Sequence, residues 1–132
     1  MSETSQLRYR QLWLVIGISI IIGIIYLSLT SRGIPVIGNN VNDKLLHTLG
    51  YFGLMLWFCQ IYNGRIQRFV LMVVFILMGV SLEFLQDYGG VRHFEIADMV
   101  ANSVGVILGL LAAVKGLDGI LAWFENLVRQ VD

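Results

Sequence analysis

Charge is what this chain has least of. Of its 132 residues only 14% are Asp, Glu, Lys or Arg, against 57% that are apolar, and nine basic residues offset nine acidic ones. A soluble domain carries about 25% charged residues, so the deficit excludes an ordinary soluble globule. The zero net charge gives no footing for a nucleic-acid partner, and none is expected. Proline occurs once and cysteine once, and Cys59 lies inside an apolar run. An intramolecular disulfide and a zinc-type cysteine pair are therefore excluded. Several enzyme signatures are missing as well: there is no G-x-S-x-G elbow, no H-E-x-x-H, no Gly-rich phosphate loop and no deaminase-type H-x-E with C-x-x-C. Neither Ser81 nor Ser103 has a histidine at nearby helical spacing, so a serine nucleophile is not expected.

What is present is long apolar sequence, with a mean hydropathy of +0.75. Four segments, 12–29, 45–62, 66–85 and 96–114, can each span a membrane core of about 20 residues. No period-2 alternation offers a barrel, and unpaired backbone groups are too costly in lipid, so the segments are expected to be helices. The expected fold is all-α: a polytopic membrane protein, a bundle of four transmembrane helices in a single domain over 1–132. Arg8 and Arg10 precede the first segment as in a signal peptide, but its apolar core is too long and no A-x-A site follows. It is read as an uncleaved helix. The tail at 117–131 places Leu117, Ile120, Leu121, Phe124, Leu127 and Val131 on one face, the pattern of an amphipathic helix lying on the membrane surface or capping the bundle.

With four spans, Arg8, Arg10, Arg65, Arg68, Lys115 and Arg129 share one side, and Arg32, Lys44 and Arg92 share the other. Six against three places both termini in the cytoplasm by the positive-inside rule. The polar groups of segments 2 to 4 then converge on the outer end. Asp43, His47 and Tyr51 follow an i, i+4, i+8 spacing; Glu83 is followed by Gln86 at i+3; Asp98 and Asn102 share a face. Asn102 continues to Gly105 and Gly109, a small-xxx-small stripe that admits another helix closely, in this chain or in a second copy of it.

Single residues here have ordinary explanations. Asp43 suits a helix cap, Asp98 suits the positive end of a helix, and Lys44 and Arg92 suit headgroup-level anchors. Glu83 is different, because it follows an uncharged run from Phe69 to Leu82 and so lies at membrane depth. Such a carboxylate needs a partner, for which His47 and Arg92 are the candidates, and points to function by default.

The set "DKLLHTLGYF", "SLEFLQ" and "RHFEIADMVANSVGVILG" resembles the VanZ-like family of bacterial membrane proteins, named for an association with teicoplanin resistance. The matching residues are Asp43, Lys44, His47 and Tyr51; Glu83 and Gln86; and Arg92, Asp98, Asn102 and Gly105. The resemblance implies a multi-pass protein of the bacterial cytoplasmic (inner) membrane acting in the cell envelope. It implies no defined biochemical activity, and the antibiotic association names a phenotype.

Three readings of the polar site follow. In the first it binds an envelope lipid headgroup or a cell-wall precursor, with Lys44 and Arg92 on phosphate and Asp43, Glu83 and Asp98 holding those cations or accepting hydroxyls. In the second it is catalytic, with His47, Glu83 and Asp98 as acid–base candidates. Asp43, His47, Glu83 and Asp98 are then candidate ligands of a divalent metal. In the third it serves a small ion- or proton-coupled transporter, although its polar groups sit at one end of the bundle and not at the midplane.

Overall fold

A computed structural model describes residues 7–30, 40–90 and 94–132, except for the side chains of residues 40–43. Among these residues the chain is helical and contains no strand: α1 (Arg10–Thr30), α2 (Asn40–Ile61), α3 (Arg65–Tyr88), α4 (Ile96–Val114), a 3-10 turn (Leu117–Gly119) and α5 (Ile120–Val131). The all-α expectation therefore holds. Helices α1, α3 and α4 are long and apolar enough to cross a membrane. Helix α2 is not among them, because Lys44, His47, Thr48 and Gln60 dilute its apolar residues.

Helix α4 matches its apolar segment at both ends, whereas other helices overrun theirs. Helix α2 begins at Asn40, where the apolar segment begins at 45, and α3 runs on to Tyr88. Hydropathy marks only the part of a helix that can enter lipid, whereas the helix itself runs until its hydrogen-bond ladder is capped. The caps are visible. Gln67 Oε1 accepts from the Gly64 N–H at 3.2 Å at the start of α3. Gly90 beyond α3 and Gly116 beyond α4 have φ of 68° and 116°, a left-handed backbone that glycine adopts without strain.

Helix α2 is central, packing most extensively on α4 and touching α1 and α3 as well. Gly105 and Gly109 explain the closeness. A Cβ on Gly105 would collide with the Thr48 carbonyl oxygen, and one on Gly109 would lie 2.6 Å from that of Phe52. The small-residue stripe is thus filled by α2 of the same chain, and it is not the free face for a second copy that its spacing suggests. Below this seam Tyr51, Leu54, Met55, Phe58, Cys59, Phe75, Val106 and Ala113 form a continuous buried core.

The tail forms a helix, α5, and its Leu121 is buried against Trp13 and Ile61. The rest of the predicted face, including Leu117, Ile120, Phe124, Leu127 and Val131, remains exposed.

Candidate functional site

The N-terminal end of α2, the C-terminal end of α3 and the start of α4 meet at one end of the bundle. Their polar side chains meet with them. The Lys44 ammonium lies 2.5 Å from Asp98 Oδ1 and 2.6 Å from Glu95 Oε2. One turn further along α2, His47 Nδ1 lies 2.9 Å from Asn102 Oδ1. Because an amide oxygen only accepts, Nδ1 carries the proton in this arrangement. Thr48 Oγ1 donates to the Ala101 carbonyl at 3.2 Å, and Glu83 Oε1 accepts from the Glu95 backbone N–H at 2.8 Å.

The arrangement is graded by depth. Asp98 is 1% exposed and Glu83 2%, while the side chains of Lys44 and Glu95, at 30% and 47%, form a rim open to the surroundings. Asn102 is buried too, and Gly79 of α3 makes room for it, since a Cβ there would lie 3.1 Å from that of Asn102. Among the described residues no buried side-chain nitrogen or oxygen lacks a hydrogen-bond partner. The interior is therefore a closed polar network with a charged mouth.

Of the residues singled out from the sequence, Lys44, His47, Glu83, Asp98 and Asn102 are brought together here. Tyr51 is buried in the apolar core cluster. Gln86 acts elsewhere, where its Nε2 donates to the Ser28 carbonyl at 2.7 Å and ties α3 to the end of α1. The Asp43 side chain and Arg92, with Arg32 from the charge count, lie outside the described residues. For Glu83 the described partner is the backbone N–H of Glu95, a donor that side-chain spacing does not reveal. Among the described residues no three His, Cys, Asp or Glu side chains are grouped to hold an ion, and the Asp43 side chain of the candidate metal set lies outside them.

Two members escaped sequence reasoning. Glu95 precedes the first residue of α4 and stands at i, i+3 to Asp98; that spacing was the available signal, but Glu95 lies outside the apolar segment that opens at residue 96. Thr48 carries no charge, and its place beside His47 gives no signal by spacing.

A second polar cluster closes the opposite end. Lys44 and Gln60 stand on one helix about 24 Å apart, at 1.5 Å per residue. There Arg68 Nη2 donates to the Cys59 carbonyl and to Asp118 Oδ2, both at 2.8 Å, and Gln60 Oε1 accepts from the Leu121 N–H at 2.7 Å. Glu125 accepts from the Arg8 and Tyr9 N–H groups and, at 2.7 Å, from the Trp13 indole. Burial works against ionisation of Glu125, but these three hydrogen bonds and the nearby Arg8 charge outweigh it and hold its carboxyl below the usual glutamate value. This cluster fastens the tail and has its partners within the chain.

No protein-family model matches the chain, and no solved structure matches it. It is similar to an uncharacterized protein of the fission yeast Schizosaccharomyces pombe, with 31% identity over 80 residues. The match covers 58% of this chain and 49% of that protein, so the chain spans about half the length of the curated relative it matches.

Proposed function

We propose that this protein binds the polar headgroup of an envelope lipid at the outer end of the α2–α4 seam. The observation that carries the reading is the burial of Glu83 and Asp98, 2% and 1% exposed, within a molecule whose flanks are apolar. Carboxylates at such a position cost stability, and an apolar pair would hold the helices together better. Their presence is accounted for by what the site takes up. Lys44 and Glu95 at the mouth are the groups that an arriving headgroup meets first.

In this reading α2 crosses the membrane with α1, α3 and α4, with Lys44 and His47 facing α4, Leu54, Met55 and Phe58 packed inside the bundle, and Leu45 and Leu49 towards lipid. Both termini are cytoplasmic, and α5 rests on the cytoplasmic surface with Trp123, Leu127 and Val131 towards lipid. The protein is then a VanZ-like protein of the bacterial inner membrane, and headgroup binding is its route to any effect on teicoplanin susceptibility. Transport finds less support, since the polar network ends on the apolar layer of Leu54, Met55, Phe58 and Phe75. Metal-assisted catalysis lacks an assembled ligand set among the described residues.

Native mass spectrometry of the gently extracted protein tests the reading. The expected spectrum carries a phospholipid mass that is absent from folded His47→Ala and Asp98→Ala variants. Retention of the same lipid by both variants would leave only a structural polar network.

A further inference from the structure

We infer that the Glu95 carboxylate is an internal stand-in for the ligand, so that the site selects a phosphate-bearing headgroup, which replaces Glu95 on Lys44. The inference rests on the binding role argued above and names the chemistry that the site accepts.

Lys44 holds two carboxylates of unlike standing. Asp98 is in the first turn of α4 and 1% exposed, whereas Glu95 is 47% exposed at the mouth. An exposed ion pair contributes little and exchanges readily with other anions. A buried one does not exchange, because separation leaves an uncompensated charge in a poor solvent. The ammonium is therefore anchored from below and exchangeable from above. It also presents three N–H donors in all, enough to keep Asp98 while changing its outer partner.

Glu95 occupies a place that suits an anion. It is the N-cap residue of α4, yet its side chain makes no capping hydrogen bond and reaches across to Lys44. The carboxylate is thus held by the Lys44 cation, while its own residue opens a 19-residue helix. The Glu95 backbone is held independently, through its N–H on Glu83. Exchange of the side chain on Lys44 therefore leaves the Glu95 backbone where it is. A phosphate carries at least the charge of the departing carboxylate and more acceptor oxygens, so it can compete for Lys44. A neutral hydroxyl headgroup has no charge with which to displace Glu95.

The test measures binding to the full chain in dodecyl maltoside micelles by isothermal titration calorimetry. Three probes are compared: dioctanoyl phosphatidic acid, dioctanoylglycerol with the same tails and no phosphate, and inorganic phosphate. The proteins are the wild type, Glu95→Ala, Glu95→Gln and Asn102→Ala. Because Glu95 is a tethered competitor, both Glu95 variants are expected to bind phosphatidic acid about two- to fivefold more tightly, the equivalent of one exposed ion pair. Dioctanoylglycerol is expected not to bind, and Asn102→Ala to bind phosphatidic acid more weakly than the wild type. Unchanged or weakened binding in the Glu95 variants, or equal binding of dioctanoylglycerol, would overturn the stand-in while the lipid site survives. Inorganic phosphate binding as tightly as phosphatidic acid would do the reverse, retaining the stand-in and removing the lipid. If phosphatidic acid binds none of the proteins, or binds all four alike, both ideas fall.

Discussion

One ammonium serving two carboxylates makes Lys44 the residue on which the site turns, and burial separates its two partners. Glu95→Ala removes an exposed charge whose loss water can compensate, and is expected to change stability by no more than about 1 kcal/mol. Asp98→Ala removes a buried partner, leaves the inner side of Lys44 facing a gap, and is expected to cost about 3 kcal/mol. Thermal unfolding in detergent, followed by circular dichroism, reads both; equal losses would show that depth does not order this network. Residues were legible in the sequence where helical spacing carried them: Lys44, His47, Glu83, Asp98 and Asn102 stand at one end of three helices, and a charge in an apolar run draws notice. Glu95 and the backbone donor to Glu83 were not legible. The backbone donor leaves no mark in a side-chain pattern, and Glu95, although three residues before Asp98, stands outside the apolar segment that opens at residue 96.

At the scale of elements, α5 docks through one acid together with the Gln60 acceptor on the Leu121 N–H. Glu125 is the acceptor for Arg8, Tyr9 and Trp13 at once, and Leu121 is the buried apolar contact beside it. The folded carboxyl is held below its ordinary value of 4.5, so its contribution is complete above that pH and is lost as the pH falls through the folded value. Docking of α5 is therefore expected to be constant from about pH 8 to pH 5 and to loosen in acid. Glu125→Gln, which has no proton to gain, should flatten the profile. Intrinsic fluorescence follows this directly, because Trp13 donates to Glu125 and stacks edge-on with Phe124 of α5 at 6.0 Å; an acid transition that persists in the Gln variant would place the titrating group elsewhere. The helices themselves could be read from hydropathy, and α4 was bounded correctly at both ends. The docking of α5 could not, since an amphipathic tail has the same periodicity on lipid as on protein. The partners that decide, Arg8 to Trp13, are more than a hundred residues away in sequence.

The whole molecule sets a narrow polar seam inside a broad apolar surface. Val15, Ile18 and Ile22 of α1, Phe69 and Leu77 of α3, and Val104, Ile107 and Leu111 of α4 are all exposed. That much exposed apolar surface is compatible with a lipid environment. In the proposed four-span reading, the sequence assigns six basic residues to one side and three to the other, and this bias sets which way the seam faces. Whether α2 crosses decides how many spans there are. Single cysteines at Tyr9, Asn63 and Tyr88 on a Cys59→Ala background separate the possibilities in intact cells treated with an impermeant thiol reagent. With four spans and cytoplasmic termini, only the cysteine at Tyr88 reacts, and those at Tyr9 and Asn63 react after permeabilisation. Were α2 to lie outside the membrane, Tyr9 and Asn63 would fall on opposite sides. The inverted pattern, with Tyr9 and Asn63 labelled and Tyr88 protected, would turn the mouth at Lys44 and Glu95 towards the cytoplasm, and its headgroup would then come from the inner leaflet.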